Sequence, residues 1–359
     1  MVGAGQAGLS AAYYLRRAGL VPYDGYVVLD GEPSPGGAWR RGWPSLRLFS
    51  PSQYSSLPGW PMPVWPDGPP PAGHVVDYLA RYEQRYDLPV VRPVVVTGVH
   101  ATDECSGEQR PRYRVETTGG TWTAEAVLSA TGTWERPFWP SYPGQRDYAG
   151  QQLHTADYRG PDGFAGQHVV VVGGGNSAAQ LLAEISTVAT TTWVTPRPPR
   201  FLPDDVDGRV LFDVATARAA ALARGEADDG GAGGLGDVVV VPSVLDARRR
   251  GALAAEPPFA RLTRTGVAWA DGRTVDADAV VWCTGFRPAL THLSPLRLPR
   301  RDGHPVTDGT RVPGLPGLHL LGYGDWTGPG SATLIGVGRT ARAAVEDLLG
   351  TGRRDAAAG

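Results

Sequence analysis

The 359-residue sequence predicts an α/β protein made of two similar units, one inserted into the other. A glycine-rich loop at residues 3–8 (GAGQAG) precedes a helix-forming segment, and a similar loop lies at residues 173–178 (GGGNSA). Strand-like stretches ending in Thr-Gly, at 130–132 and 283–285, bracket the second loop and so place it in an insertion. In a strand, loop and helix of this kind, backbone N–H groups and the helix N-terminus can bind a pyrophosphate. Both units are therefore predicted to be Rossmann-like dinucleotide-binding domains.

The composition fits a globular protein of about two domains, with 42% hydrophobic and 19% charged residues. The formal net charge of -2 gives no general attraction to nucleic acid or to an anionic membrane. Cys105 and Cys283 are too far apart for a CxxC pair, no segment resembles a membrane helix, and little chain precedes the first loop. We therefore expect a cytoplasmic protein without a nucleic-acid partner, a membrane partner or a metal site.

The first unit continues regularly after its loop. Residues 9–18 predict a helix, and residues 26–30 predict a strand that delivers Asp30. Asp30 lies 22 residues after Gly8, the spacing at which an acid can bind a ribose hydroxyl, and a solvated loop aspartate is the alternative. Only Met1 and Val2 precede the loop. Either the true N-terminus lies upstream or, in the chain as given, the first strand is short and retention of the dinucleotide is weaker.

Residues 31–71 are rich in Pro, Trp and Ser, which predicts an irregular excursion packed on the first unit. Within it, Gly37 would let the backbone approach a planar ring, and Trp39 could stack on that ring or fill the core. Further along, residues 75–86 predict an amphipathic helix. Two strand-like stretches follow, at 94–99 and 113–117, and the second enters a Gly-Gly turn before residues 121–128. This pattern predicts a small β excursion that returns to the sheet.

The inserted unit repeats the order of the first. Residues 168–172 form an apolar run, which predicts a strand buried on both faces ahead of the second loop. The next strand, at 191–195, is followed by Arg197 instead of an acid. A guanidinium there can bind a 2′-phosphate and favours NADPH over NADH, with a solvated arginine as the alternative. Residues 225–236 are rich in Gly and Asp and predict a mobile loop.

The C-terminal part returns to the first unit. Residues 318–325 predict a strand that delivers Asp325, followed by a long helix from near Ser331 to Gly350. Two dinucleotide loops in one chain, separated by a third patterned segment, predict a flavoprotein that takes electrons from a nicotinamide. Asp325 could then bind a flavin ribityl hydroxyl, and the helix N-terminus could face the isoalloxazine ring, whereas a turn aspartate is the alternative. The predicted domains are an FAD-binding domain at 1–155 and 283–359 and an NADPH-binding domain at 156–282.

The predicted cofactor-binding residues come from both units. The FAD candidates are Gly3, Gly5, Gly8, Asp30, Gly37, Trp39 and Asp325. The NADPH candidates are Gly173, Gly175, Asn176, Ser177 and Arg197. The first Thr-Gly crossing adds Thr131 and Gly132, where both cofactors would come together.

Another pattern, FxGxxxHxxx(Y/F), lies between the two loops and matches at Gly150, His154 and Tyr158. Tyr148 stands in place of its Phe, and Arg159 in place of the usual Lys or Pro. With the two loops, the segment around Gly37 and the Thr-Gly-Phe turn at 284–286, it resembles class B flavin-dependent monooxygenases. The narrower resemblance is to bacterial flavin-containing monooxygenases grouped with arsenic-resistance operons. Tyr158, where Baeyer-Villiger enzymes usually carry Trp, favours members that act on heteroatoms.

The resemblance implies hydride transfer from NADPH to FAD, then reaction with O2 to a C4a-(hydro)peroxyflavin that oxygenates a small substrate bearing nitrogen, sulfur or a carbonyl group. His154 is expected to organise the junction between the domains. Phe49 falls where animal-type members place an asparagine near the flavin, so that contact is not expected here. Two alternatives are open, a flavin reductase without oxygen transfer and a non-catalytic nicotinamide-sensing flavoprotein. A homodimer is also left open.

Overall fold

The computed structural model describes residues 1–102, 112–204, 208–226 and 238–356. Cys105 and most of the loop predicted at 225–236 lie outside these residues. The α-helices of the described residues are α1 (Gln6–Arg17), α2 (Ala72–Arg85), α3 (Asn176–Ile185), α4 (Gly208–Ala223), α5 (Pro242–Arg249) and α6 (Val337–Ala356). The predicted end of the last helix at Gly350 is wrong. A glycine that ends a helix usually has a positive φ, and Gly350 does not. Helix α6 therefore continues through it.

The first unit is built on a parallel sheet whose central strand is a single residue. Val2 pairs with β1 (Val28–Leu29) on one side and with β6 (Val127–Ser129) on the other. β2 (Val90–Val91) extends the sheet beyond β1, and β17 (Leu318–Leu320) extends it beyond β6. In the sequence given, only Val2 forms this strand. Backbone hydrogen bonds of 2.8–2.9 Å nevertheless join residues 2 and 3 to both neighbouring strands.

Helices α1, α2 and α6 contribute to one buried cluster beside this sheet. Alanines of α1 and α6 lie together in the cluster, so the two helices approach each other closely. Tyr78 and Tyr82 of α2 donate hydroxyl hydrogen bonds of 2.6 Å to the carbonyls of Trp60 and Pro58. These bonds fix the irregular excursion at 31–71 to the first unit, as the sequence predicts.

A small antiparallel sheet interrupts the first unit. Its strands are β3 (Val96–Thr102), β4 (Arg112–Thr117) and β5 (Gly120–Ala124). The predicted β excursion and its return to the sheet are confirmed, and the chain changes sheets at residues 125–126, within the predicted stretch 121–128. Residues 120–123 are exposed and pair with β4, whereas all of β6 is buried in the main sheet.

The inserted unit has a five-stranded parallel sheet in the order β10-β9-β8-β14-β7. Its strands are β7 (Gln151–His154), β8 (His168–Val172), β9 (Thr190–Val194), β10 (Ala255–Glu256) and β14 (Ala279–Trp282). Alternate valines of β8 belong to two different core clusters, which confirms the predicted burial on both faces. Helices α3 and α5 cover one face. The antiparallel strands β11 (Arg261–Leu262), β12 (Gly266–Ala268) and β13 (Thr274–Asp276) contribute to the cluster on the other face.

Strand β7 pairs in parallel with β14 along its whole length. The predicted domain boundary at residue 155 leaves β7 in the FAD-binding domain, although its partners belong to the second sheet. We therefore propose that the chain crosses between the units before Gln151. A last hairpin, β15 (Arg300–Arg301) and β16 (His304–Pro305), follows the return to the first unit.

Gly150 has no room for a side chain, because a Cβ there would overlap the Tyr148 ring and lie 2.6 Å from the carbonyl oxygen of Asp278. Tyr148 itself is fixed by a 2.8 Å hydrogen bond from its hydroxyl to Ala277 O. We predict that Gly150→Ala lowers the free energy of unfolding by about 2 kcal/mol, the usual cost of overpacking.

Gly163→Ala is the matched control, since a Cβ at Gly163 meets no atom within 4 Å and its φ is not positive. Its free energy of unfolding should stay within about 0.5 kcal/mol of the wild type. Urea denaturation of both variants makes the comparison. Equal stability of the two variants would contradict the proposed overlap.

Candidate dinucleotide-binding cavity

A cavity of about 1170 Å³ lies between the two units and is lined by residues from both. Its volume exceeds the range typical of a pocket for one small ligand. Ten predicted residues line it: Gly3, Gly5, Asp30, Gly37, Trp39, Thr131, Gly132, Asn176, Ser177 and Asp325. Five others do not: Gly8, His154, Gly173, Gly175 and Arg197. The two glycine loops therefore border one cavity, the first through Gly3 and Gly5 and the second through Asn176 and Ser177.

In the first loop, packing within the protein excludes side chains at two of the three glycines. Gly3 has φ +96°, and a Cβ there would lie 2.6 Å from the carbonyl oxygen of Ala130. A Cβ at Gly8 would overlap the carbonyl oxygen of Gly3. By contrast, a Cβ at Gly5 would meet no protein atom within 4 Å. Gly5 thus leaves open space at the N-terminus of α1, where a pyrophosphate would bind.

The second loop repeats this arrangement. Gly173 has φ +140°, and a Cβ there would overlap the carbonyl oxygen of Cys283. A Cβ at Gly175, the N-cap of α3, would meet nothing within 4 Å. The side-chain oxygen of Asn176 accepts a 2.8 Å hydrogen bond from the backbone N–H of Val239, which fixes the start of α3. Both loops therefore fit a dinucleotide in the same way.

Asp30 is 6% exposed and belongs to an ion-pair network that sequence reasoning missed. Arg92 donates through Nε to Asp30 over 2.7 Å and through its two terminal nitrogens to Glu83 over 2.6 and 2.8 Å. Burial lowers the pKa of Arg92, but the hydrogen bonds to Glu83 and Asp30 outweigh it and leave the pKa raised. The parallel pairing of β1 with β2 brings Asp30 and Arg92 together, because each residue directly follows one of the two strands. The sequence alone does not reveal this pairing.

The segment around Gly37 packs directly on the first loop. A Cβ at Gly37 would lie 3.0 Å from the Cα of Gly5. Trp39 lines the cavity and also packs against the buried cluster of the first unit, so it contributes to the core, and its stacking on a cofactor ring stays a prediction. Its Nε1 donates to Gln6 over 3.1 Å, and Gln6 donates to Ala332 O over 2.7 Å. These contacts join the excursion, the first loop and the turn before α6.

Asp325 lies at the cavity and accepts two hydrogen bonds. Arg218 of α4 donates to one oxygen over 2.6 Å, and the backbone N–H of Gly330 donates to the other over 3.2 Å. Arg339 of α6 donates to Thr216 of α4 over 2.8 Å. Helix α4 of the inserted unit therefore contacts the predicted flavin aspartate, a contact that the sequence did not indicate.

A buried polar network lies behind Thr131. The Tyr323 hydroxyl lies 2.7 Å from Ser129 Oγ and 2.8 Å from Thr131 Oγ1, and His292 Nε2 lies 3.0 Å from Ser129 Oγ. Burial raises the pKa of Tyr323 and lowers the pKa of His292 to about 4, so both groups are neutral near pH 7. His292 and Tyr323 line the cavity, and sequence reasoning found neither.

His154 is fully buried at the junction of the units. Its Nδ1 accepts a 3.1 Å hydrogen bond from the Ala156 N–H, so Nε2 carries the proton and donates to Gly285 O over 3.1 Å. Its ring meets Phe286 edge-on, with ring centroids 5.0 Å apart. Burial lowers the pKa of His154, which keeps the ring neutral. His154 thus touches the second Thr-Gly turn, and its role as an organiser of the junction stays a prediction.

Tyr158 also lies outside the cavity lining and is fully buried. Its hydroxyl donates to Glu184 of α3 over 2.9 Å, and Ser45 of the excursion donates to the other oxygen of the same carboxylate. Trp43 of the excursion is buried in the core cluster of the inserted unit. Tyr158 and Glu184 therefore join the two units and are not placed to contact a substrate in the cavity.

Comparison with known proteins identifies the family of this chain. The family model of the pyridine nucleotide-disulphide oxidoreductases matches residues 1–210. A flavin-containing monooxygenase from Stenotrophomonas maltophilia is 51% identical, with a TM-score of 0.86 over 98% of this chain and 97% of that chain. The chain belongs to the pyridine nucleotide-disulphide oxidoreductase family, among its flavin-dependent monooxygenases.

Two further relatives agree with this membership. An uncharacterized CzcO-like oxidoreductase from Geobacillus kaustophilus is 27% identical over 97% of both chains. A Baeyer-Villiger monooxygenase from Streptomyces coelicolor is 32% identical over 56% of this chain and 39% of its own. This flavin-dependent monooxygenase accordingly uses FAD and NADPH and oxygenates small molecules with O2.

Disulphide chemistry, which the family name includes, has no support at Cys283. Burial raises the pKa of its thiol to about 12, so a reactive thiolate does not form near pH 7. Among the described residues, no group of His, Cys, Asp and Glu could hold a metal ion. No helix in the same part of the chain is long and apolar enough to cross a membrane.

His292 makes the stability of this monooxygenase depend on pH. Its folded pKa of about 4 lies below the unfolded value of about 6.5. As the pH falls below 6.5, the unfolded chain binds a proton that the folded state does not. We therefore predict a loss of about 2 kcal/mol from this residue between pH 7 and pH 5.

His292→Gln tests this, because glutamine can still bond Ser129 but does not titrate. Urea unfolding gives the free energy of unfolding of each protein at pH 7 and at pH 5. The decrease in this free energy between pH 7 and pH 5 should be smaller in the variant by about 2 kcal/mol. The other buried histidines titrate in both proteins and cancel. An identical pH dependence in the two proteins would rule out a neutral His292.

Proposed function

We propose that the first glycine loop binds the FAD pyrophosphate and the second binds the NADPH pyrophosphate, across one shared cavity. The open space beside Gly5 and Gly175 carries this proposal, because the protein itself would tolerate a methyl group at either position. When bound, FAD accepts a hydride from NADPH and activates O2. The protein would supply binding, orientation and exclusion of water.

The other proposed cofactor contacts follow from the positions of three side chains. Asp30, held by Arg92, would present its second carboxylate oxygen to the FAD ribose. Asp325 would share its oxygens between a ribityl hydroxyl and Arg218. Arg197 follows β9 and would bind the 2′-phosphate of NADPH. It is exposed and lies outside the cavity lining, so this role stays a prediction.

The chemistry does not need a strong acid or base from the protein. The titratable groups behind Thr131, His292 and Tyr323, are both neutral near pH 7 and hydrogen-bonded to Ser129. Trp43, Leu46 and Phe49 line the cavity and would exclude water from the reacting atoms. Phe49 lies at the cavity without a hydrogen-bonding group, so any donor to the oxygenated flavin would come from another residue.

The two loops can be separated by matched substitutions. Gly5→Ala would place a methyl group in the FAD cradle and should weaken FAD binding by roughly tenfold or more. Gly175→Ala should leave the bound FAD in place and raise the KM for NADPH by a similar factor. Both residues cap a helix, so each substitution should cost no more than about 1 kcal/mol of stability.

Flavin content after purification and steady-state kinetics with added FAD measure the two effects, and urea unfolding checks the stability. If Gly5→Ala retains FAD like the wild type, the first loop does not hold its pyrophosphate. If Gly175→Ala loses FAD while its KM for NADPH is unchanged, the two assignments are exchanged.

Oxygen transfer separates a monooxygenase from a flavin reductase. We expect NADPH oxidation to be coupled to a product that contains one atom of isotopically labelled O2. A panel of amines, sulfides, ketones and trivalent arsenicals identifies the substrate by coupled NADPH oxidation and mass spectrometry. NADPH oxidation that yields only hydrogen peroxide with every member of the panel would favour the reductase.

A heteroatom-bearing substrate, a cytoplasmic location and a homodimer are also proposals. The heteroatom preference rests on Tyr158, whose hydroxyl donates a hydrogen bond to Glu184 and which lies outside the cavity lining. That preference would therefore act through the fit of the two units and not through contact with the substrate. Light scattering of the purified protein measures its oligomeric state.

A further inference from the structure

A second cleft, of about 670 Å³, lies beside the return to the first unit. It is bounded by the Thr-Gly-Phe turn at 284–286, by the segment 287–298 and by the β15-β16 hairpin. Four arginines line it: Arg136, Arg287, Arg297 and Arg300. Asp302 is the one acidic residue among the lining residues. The cleft is thus strongly cationic in a protein whose formal net charge is -2.

Three of the four guanidinium groups are positioned by contacts other than carboxylates. Arg136 donates to Thr291 Oγ1 over 3.0 Å, and Arg300 donates to Gly303 O over 3.1 Å. Arg287 stacks over Phe138, with Cζ 4.3 Å from the ring centroid. Within the described part of the chain, none of the four forms an ion pair. Elsewhere, arginines such as Arg41, Arg92 and Arg248 are paired with acids.

Two lining residues, Arg297 and Asp302, have a positive φ, of +48° and +51°. Both lie in local turns that favour this conformation, since Arg297 caps the short helix at Thr291–Leu296 and Asp302 lies in the two-residue turn between β15 and β16. The two turns form part of the cleft wall. His304 also lines the cleft, and its buried Nδ1 has no hydrogen-bond partner in the described structure.

The cleft adjoins the cofactor cavity. Arg136 and Thr291 line both spaces, so their hydrogen bond forms part of the wall between them. Phe286 lines the cleft and stacks on Trp134, which lines the cavity, with ring centroids 4.9 Å apart. A ligand in the cleft would therefore contact the wall of the cofactor site from outside it.

We propose that this cleft is a binding site for a small polyanion, a molecule with two or more phosphate or carboxylate groups. Guanidinium groups match both groups through paired hydrogen bonds. The volume is within the range of small-molecule pockets. The site is separate from the two glycine loops, so the proposal does not depend on the cofactor assignments.

Titration calorimetry of the FAD-loaded enzyme tests the site, with saturating NADP+ present to fill the other phosphate site. Pyrophosphate and citrate are the two probes, in magnesium-free buffer, and sodium chloride at matched ionic strength is the reference. We expect saturable binding of at least one probe. Binding of pyrophosphate alone identifies phosphate as the recognised group, and binding of citrate alone identifies carboxylate.

The double variant Arg297→Gln, Arg300→Gln should weaken this binding by roughly tenfold or more for each guanidinium removed. Arg264→Gln is the matched control, since Arg264 is exposed in the inserted unit and lines neither space, and it should bind like the wild type. FAD content and the thermal midpoint confirm that the variants fold. Absence of saturable binding, or equal binding by the double variant and the wild type, would overturn the proposal.

Discussion

The close approach of backbone to backbone at the two glycine loops is the constraint on which the rest of the structure depends. At Gly3 the chain turns against the carbonyl of Ala130, and at Gly173 it turns against the carbonyl of Cys283. Both contacts lie where a neighbouring parallel strand ends, so a side chain at either glycine would separate strand from loop. Each turn then directs the N-terminus of the helix that follows it, α1 or α3, toward the shared cavity. The same steric requirement thus shapes both of the proposed cofactor sites.

Local features of these sites could be predicted from the sequence, because each depends on a few adjacent residues. The glycine loops and Asp30 lie at the ends of strands, Asp325 begins a short helix beyond β17, and the structure brings them to one cavity. Their partners could not be predicted, because they come from distant parts of the chain. Arg92 lies 62 residues from Asp30, and Arg218 lies 107 residues from Asp325. Such pairs depend on strand register and domain placement, which one sequence does not reveal.

The most specific sequence pattern has a structural explanation that differs from a catalytic one. Tyr148 fills the space beside Gly150, His154 bonds the second Thr-Gly turn, and Tyr158 bonds Glu184. None of the four residues lines the cavity. A pattern can therefore mark a family without touching a reactant, because the chemistry belongs to the cofactor and the protein must keep two units in register.

Several polar contacts join the two units, in addition to the buried ring of Trp43. Ser45, Tyr158 and Glu184 join the units on one side of the cavity, and Arg218 joins Asp325 on another. Polar interfaces between domains permit relative motion more readily than large apolar ones. Hydride transfer, however, requires the reacting atoms to come within about 3.5 Å of each other. A few hydrogen bonds at the junction therefore have two requirements to satisfy: they must hold the nicotinamide near the flavin, yet yield when a cofactor enters or leaves.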